Sequence, residues 1–423
     1  MASSGSALPE MWLNLYYALF ALVGLYVIFS SAAWVTSAVR FAFGREDSGS
    51  DWFYEIPDEE LPSFTVLVPA FSEEKTIRSC LEALREVNYP NLEVIAIDDG
   101  STDRTAQIIT EMLPLDPRLR FLEKKVNEGK AMAMNDALAI TSGEIVTVID
   151  ADARIHPYAL RFIAAHFVRV PRVGGVTGNP RPINRVNTLT ELQVAEYASN
   201  VSLMRRSQVV WGRILTMSGV ISAFRRSVIA DVGAFDPSMA TEDIELTWRI
   251  QRSFYDVRYE PRAVLGMVVP QTLPALMRQR MRWGRGLVEV LKAHAGVLRR
   301  WRNRRHWPVY IEATLSLLWW HLLLLLFAVL IVAEAARSVS AIDLTPIPWG
   351  WTAIVLTAAI VQLTVGIILD RHYDRSATSA LPIVPWYPMV YWAIVGLPSV
   401  LVTLPTLLRR RDKGANVRWS VRR

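Results

Sequence analysis

Cysteine is almost missing from this chain. Cys80 is the only one in 423 residues, so no disulfide can close within it and no cysteine cluster can hold zinc or iron. No GxGxxG follows a strand-like run and no GxxxxGK[ST] occurs, which leaves neither a dinucleotide fingerprint nor a Walker phosphate loop; Gly129-Lys130 alone makes no P-loop. Repeats of 20 to 50 residues and low-complexity tracts are absent too. A large charge surplus is also lacking, with 46 Lys and Arg against 40 Asp and Glu. The small basic excess gathers in Arg299 to Arg305 and Arg409 to Arg423, each beside an apolar run. That placement points to membrane lipids as the basic partner and away from nucleic acid.

Apolar residues are what the chain has in plenty: 52% of it is hydrophobic, and its mean hydropathy is +0.22. Four runs are long enough to meet a hydrocarbon core that takes about 20 helical residues to cross: Met11 to Val39, Thr314 to Ala333, Trp349 to Leu369 and Leu381 to Leu408. The first has no basic flank before it and outruns a signal-peptide core, so it is expected to stay as an anchor with its amino end outside. The last contains Pro382, Pro385, Pro388, Pro398 and Pro405, which predict a kinked or partly re-entrant helix. Three straight crossings after the soluble region would leave the Arg-rich tail outside, against the positive-inside rule. Either the last segment does not fully cross, or the tail is an exception.

Between the anchors the pattern changes. Phe64 to Val68, Leu92 to Ile97, Leu119 to Leu122 and Ile145 to Ile149 are short apolar runs bounded by turn or polar residues, and predict buried parallel strands. Ile77, Leu81, Leu84 and Val87 recur at helical spacing between the first two. Strand, helix and strand in this order predict a doubly wound α/β domain with its chemistry at the carboxyl edge of the sheet.

Polar residues gather at those predicted strand ends. One strand runs into Asp98-Asp99-Gly100-Ser101-Thr102-Asp103, another into Asp150-Ala151-Asp152. Residues two apart in extended chain point the same way, so Asp150 and Asp152 can share a pocket and a cation, Mg²⁺ or Mn²⁺, that would in turn hold a diphosphate. The plainer reading of Asp98, Asp103 or Asp152 is a helix cap. Thr241-Glu242-Asp243 precedes a helical pattern and fits a capped helix N-terminus equally well. In Gln279-Arg280-Met281-Arg282-Trp283, spacings of three and four set Gln279, Arg282 and Trp283 on one helical face, suited to a diphosphate and a sugar ring, or to lipid head groups.

Taken together, the DDGS turn, the DxD, the TED and the QxxRW occur in the order found in the membrane-embedded processive family 2 glycosyltransferases, which this chain resembles. Its similarity is greatest to the bacterial poly-β-1,6-N-acetylglucosamine synthases, from about Pro62 to Trp419, through Arg172 to Arg181, Ser218 to Arg226, Met239 to Trp248, Arg371 to Asp374 and Pro385 to Trp392. Gly284-Arg285-Gly286 departs from the Ala-Gln-Gly of relatives, and one amino-terminal helix is evident where relatives often carry two.

The resemblance implies a GT-A-like domain over 61–270 inserted between a transmembrane anchor at 1–45 and a transmembrane bundle at 308–408. Interfacial helices with the QxxRW would fill 271–307, and a basic tail 409–423. It implies a catalytic base at Asp243, and donor contacts from Asp99, Lys130, Asp150 and Arg282. Acceptor contacts would come from Gln279 and Trp283, and a metal ligand from Asp152. The implied partners are a UDP-sugar donor, a growing polysaccharide acceptor and a small membrane accessory subunit; relatives can also answer a cyclic dinucleotide. A multi-pass protein of the bacterial plasma membrane with its catalytic domain in the cytoplasm is expected. Hyaluronan-like or cellulose-like synthesis, transfer of a single sugar to a lipid, and a catalytically silent sensor of nucleotide-sugars remain as alternatives.

Overall fold

A computed structural model describes residues 7–46, 56–339, 349–409 and 416–418. The chain enters through one long helix, α1 (Ala7–Phe41), and then builds an α/β unit. In order this unit runs β1 (Phe64–Ala70), α2 (Ile77–Arg85), β2 (Leu92–Asp99), α3 (Thr105–Met112), β3 (Leu119–Lys124), α4 (Lys130–Leu138) and β4 (Ile145–Ile149). It continues through β5 (Arg154–Ile155), α5 (Ala159–Arg169), β6 (Val173–Pro182), α6 (Thr188–Glu196), α7 (Met204–Trp211), β7 (Ile221–Arg225), α8 (Arg226–Val232), α9 (Glu242–Arg252) and β8 (Asp256–Met267).

The eight strands form one sheet in the order β3-β2-β1-β4-β7-β6-β8-β5. β1, β2, β3 and β4 pair in parallel, as their continuous apolar runs predict. Alternate side chains of β1 feed two cores. Phe64, Val66 and Val68 pack with Ile77, Leu81 and Leu84 of α2 and with Ile163 of α5. Leu67 faces the other layer, with Met134 of α4 and Leu246 of α9. β1 runs two residues past the predicted end at Val68, through Pro69. Its pairing with β4 stops at Leu67, so the missing proline N–H removes no bond from that ladder.

β7 is not among the strands that the apolar runs predict. It lies antiparallel between β4 and β6, with Ile221 opposite Ile149. Its start therefore lies beside the carboxyl end of β4, and the Ser218–Val220 turn meets the Asp150 turn.

After the sheet come α10 (Leu273–Ala293), α11 (Trp307–Val339), α12 (Trp349–Asp370) and α13 (Trp392–Leu408). Among the described residues four helical stretches are long and apolar enough to cross a membrane. α1, α11 and α12 pack together through Val23, Val27, Trp319, Leu323 and Ala359. Indole N–H groups of Trp319 and Trp351 donate to the carbonyls of Val23 and Phe20. Leu22, Phe29, Leu325 and Ile331 point outward, exposed as lipid-facing residues are. His321 bonds the Leu317 carbonyl of its own helix, so its ring is satisfied locally.

The last apolar segment is broken, as its prolines predict. Arg375–Trp386 is 3₁₀ helix and Tyr387–Tyr391 a π turn; only then does α13 begin. At 17 residues α13 is about 25 Å long. Ala377, Ala380 and Val384 pack against Leu192 and Ala195 of α6, on the α/β unit. Beyond them α13 lies along α10, where a Cβ on Gly284 would meet Ser399 and Val402 at 3.1 to 3.2 Å. At its far end the ammonium of Lys292 donates to the carbonyls of Leu407 and Arg409. Val417 then donates to the Pro237 carbonyl. The segment thus starts against α6 of the α/β unit and finishes against α10. Most of the expected basic tail lies outside the described residues.

Candidate active site

The DDGS turn divides its acids between two tasks. Asp98 folds onto Ser101 within the turn and caps no helix, whereas Asp103 accepts from the N–H of Thr105 at the start of α3 and from that of Glu74. Asp99 is fully buried and accepts from Glu128 N at 3.2 Å and Gly129 N at 2.8 Å. Burial raises its pKa, against those two N–H groups and Lys124. It fixes the loop that leads into α4. Gly100, at φ +75°, is needed there because a Cβ would come within 2.9 Å of the Asn127 nitrogen.

Lys130 is the first residue of α4. Its Nζ lies 2.5 Å from Asp150 Oδ1, 3.1 Å from the Gly219 carbonyl and 3.9 Å from Glu242 Oε1. Burial alone would lower its pKa, but Asp150 and Glu242 outweigh it and the net shift is upward. Glu242 is itself pushed up by burial, with Lys130 opposing. Gly219 N donates to Asp243 Oδ2 at 2.9 Å, while Asp243 Oδ1 accepts from the Ile244 N–H of its own helix. The DxD turn, the Gly219 turn and the TED therefore meet around one ammonium. Met134, Val148, Phe224 and Phe235 line the apolar side of the same small space.

The TED is not a capping motif. Thr241 makes no side-chain cap bond, and its hydroxyl is buried without a partner. α10 lies across it instead, and a Cβ on Gly286 would stand 2.2 Å from Thr241 Oγ1. Arg282 reaches the Ala240 carbonyl at 3.4 Å, and Glu289 accepts from Ala240 N at 3.0 Å. The face of α10 that meets the TED is thus Arg282, Gly286 and Glu289, at spacings of four and three. Trp283 packs on the core that includes Ala151 and Ala153, on either side of Asp152. Gln279 Oε1 is buried without a hydrogen-bond partner.

Several partners escape any local pattern. Arg280, inside the QxxRW, is buried. It bonds Glu196 of α6 at 2.5 Å and the Tyr391 hydroxyl at 3.2 Å, and its guanidinium carbon sits 4.2 Å from the Trp283 ring centroid. Asp370, at the end of α12, is fully buried between Arg206, Ser202 and Arg181, and Arg206 reaches on to Glu46 at 2.6 Å. Long-range ion pairs of this kind leave no trace in spacing. The one available hint was charge inside otherwise apolar helices.

Residues 65–233 match the family model for glycosyl transferase family 2. Over 402 residues the chain is 31% identical to a poly-β-1,6-N-acetyl-D-glucosamine synthase of Staphylococcus epidermidis, covering 93% of this chain and 96% of the relative. To the synthase of that name from Staphylococcus aureus (strain COL) it is 33% identical over 402 residues, with the same coverage. The chain belongs to glycosyl transferase family 2. A similar fold is seen in the solved mannosyltransferase of Pyrobaculum calidifontis, described in complex with GDP-Man and Mn²⁺. That structure superposes with a TM-score of 0.61 at 22% identity, over 91% of this chain and 99% of the other. In this glycosyltransferase the GT-A-like sheet expected from the sequence is present, and the DxD, TED and QxxRW converge at its carboxyl edge.

Proposed function

We propose that this glycosyltransferase polymerises N-acetylglucosamine from UDP-GlcNAc into a β-1,6-linked polysaccharide, and couples growth to export through its helical bundle. The carrying observation is the meeting of Lys130, Asp150, Gly219 and Asp243 at one sheet edge with α10 laid across them. The printed activity of the Staphylococcus relatives supplies the sugar and the linkage.

Asp243 is the proposed base. A sugar hydroxyl has a pKa far above neutrality, so a placed carboxylate must take its proton as the oxygen attacks the anomeric carbon. The new C1–O bond forms as the bond from C1 to the UDP oxygen breaks on the opposite face. One displacement therefore turns an α-linked donor into a β-linked product. Gly219 N and the α9 terminus keep Asp243 aimed while the proton moves. UDP departs with growing negative charge, which Lys130 and Arg282 are positioned to meet. Asp99 holds the loop against the nucleotide, and Gln279 and Trp283 face the acceptor.

The donor set fits a divalent ion shared with substrate. Among the described residues no cluster of three or more His, Cys, Asp or Glu could hold a metal alone. Asp150 and Asp152 stand two apart after β4, and the Lys130 ammonium already takes the cation's place on Asp150. Mg²⁺ commonly binds through one or two carboxylates, with substrate phosphates completing its shell. Asp152 would hold Mg²⁺ or Mn²⁺ with Asp150 beside it, and the ion would supply Lewis-acid stabilisation of the leaving diphosphate.

α1, α11 and α12 are proposed to cross the membrane, with the Arg375–Leu408 segment returning to the cytoplasmic face. That topology leaves Arg299 to Arg305 and the Arg-rich tail on one side, as the positive-inside rule asks, and removes the conflict met in the sequence.

The test is to incubate membranes with Mg²⁺ and UDP-GlcNAc, UDP-Glc or UDP-GlcA in turn, with and without a chelator. UDP release with UDP-GlcNAc alone, lost on chelation, and a product cut by a β-1,6-specific glycosidase are expected. A polymer made from UDP-Glc or UDP-GlcA and resistant to that enzyme would overturn the assignment.

A further inference from the structure

Two consecutive arginines of α7 are both buried, yet only one is ion-paired; the other, Arg205, has the Tyr259 ring with its centroid 5.9 Å from the guanidinium carbon. Arg206 is held by Asp370 at 2.7 Å and by Glu46 at 2.6 Å. Arg205, 6% exposed, makes a single hydrogen bond, from Nη1 to the Gly178 carbonyl at 3.3 Å. Among the described residues no carboxylate lies within ion-pair distance of it. A guanidinium carries five N–H donors and no acceptor, and burying one without an anion costs several kcal/mol unless something else accepts. Its neighbour shows that this stretch of chain can supply such partners.

The surroundings indicate what is missing. Tyr197 is 4% exposed, and its hydroxyl has no hydrogen-bond partner among the described residues. Burial raises the Tyr197 pKa, and the charges that act on it are Arg280, Glu196, Arg205 and Asp152. Burial lowers the Arg205 pKa, while Tyr259, Tyr197 and Asp243 act to raise it. Tyr197 belongs to the core against which Trp283 packs. Gly178, which accepts from Arg205, follows Thr177, whose hydroxyl accepts from Ser218 N beside the Gly219 turn, and Tyr197 follows Glu196, which binds the Arg280 that stacks on Trp283. Tyr197 opens a π-helical stretch, Tyr197–Leu203, that interrupts an otherwise α-helical run before Arg205; such irregularities are frequent at functional sites.

We propose that the Arg205 guanidinium and the Tyr197 hydroxyl form a subsite for oxygens of the acceptor saccharide, holding its terminal sugar beside Asp243. The donor diphosphate already has Lys130 and Arg282 in the proposed function. A neutral sugar offers hydroxyl and N-acetyl carbonyl oxygens, which suit donors that lack a protein anion. This inference rests on the acceptor being the saccharide named above.

The test uses the full chain in lipid nanodiscs with UDP-GlcNAc and a defined β-1,6-linked N-acetylglucosamine pentasaccharide. Tyr197→Phe removes only a hydroxyl, and Arg205→Gln removes the charge. Each is expected to raise the KM for pentasaccharide about tenfold, the worth of one net hydrogen bond, with the KM for UDP-GlcNAc within about twofold of wild type. Arg205→Lys should recover part of the loss. An unchanged acceptor KM in Tyr197→Phe, or donor and acceptor KM rising together, would overturn the subsite, and Tyr197→Phe decides alone if Arg205→Gln fails to fold. Wild-type consumption of UDP-GlcNAc without use of the pentasaccharide overturns the subsite only. No consumption of UDP-GlcNAc overturns the proposed function and the subsite with it.

Discussion

Gly286 of α10 lies against Thr241, the first residue of the TED, so closely that a methyl group on the glycine would come within 2.2 Å of the threonine hydroxyl oxygen. The interfacial helix and the turn that presents Asp243 are therefore in direct contact, and the fit depends on a missing side chain.

Gly286→Ala should push α10 off the TED. Overpacking a tight contact costs about 1–3 kcal/mol, and misplacing a reacting group by about 1 Å can cost about 10²-fold in rate. Thr241→Ala in the same chain removes the hydroxyl and the methyl at 2.2 and 2.4 Å, leaving only Cβ at 2.7 Å. It should restore part of the thermal stability, and UDP release should recover with it. Equal activity in wild type and Gly286→Ala would show that the two elements are not coupled.

Asp370 ties α12 to the α/β unit through Arg206 and Arg181, with no solvent exposure. Asp370→Ala leaves two buried guanidiniums without their shared carboxylate. The expected loss is about 3–5 kcal/mol, as for other broken buried pairs, read as a fall in the unfolding midpoint in detergent. A midpoint within 1 °C or so of wild type would mean that the network contributes nothing to docking.

Glu260 of β8 predicts an acid limit. Burial pushes its carboxyl up, but hydrogen bonds and charge from His166 and Arg262 prevail and hold the pKa at about 2, against an ordinary 4.5. A depressed carboxylate stabilises the fold above its unfolded value and loses that contribution as pH falls toward the folded value. Up to about 3 kcal/mol should therefore drain away between pH 4.5 and 2. Glu260→Gln should be less stable at neutral pH and flatter across that window. Parallel stability curves for the two proteins would remove Glu260 from the account.

Much of this architecture is legible in the amino-acid order, for identifiable reasons. β2 and β4 are short apolar runs that end at acids, so their buried middles and functional ends are both visible. β7 is not, because Ile221–Arg225 has no distinguishing pattern and becomes a strand only by filling the gap between β4 and β6. Adjacent acids also defeat pattern reading: Asp98 and Asp99 have the same chemistry, but one folds onto a turn serine and the other anchors the loop before Lys130. The QxxRW spacing locates the helix but misses Arg280, whose partners Glu196 and Tyr391 lie 84 and 111 residues away. Prolines correctly predict the break in the last segment, while its return to α10 depends on Lys292 and tertiary packing.

Asp243 bears the greatest weight, since it alone is asked to take the acceptor proton. Asp243→Asn keeps the shape and an oxygen for the Gly219 N–H while losing the base. Purified in nanodiscs with Mg²⁺ and UDP-GlcNAc, that variant should bind the donor within about threefold of wild type, yet transfer sugar at least 10²–10⁴-fold more slowly. Sugar transfer at the wild-type rate would contradict the account at its centre.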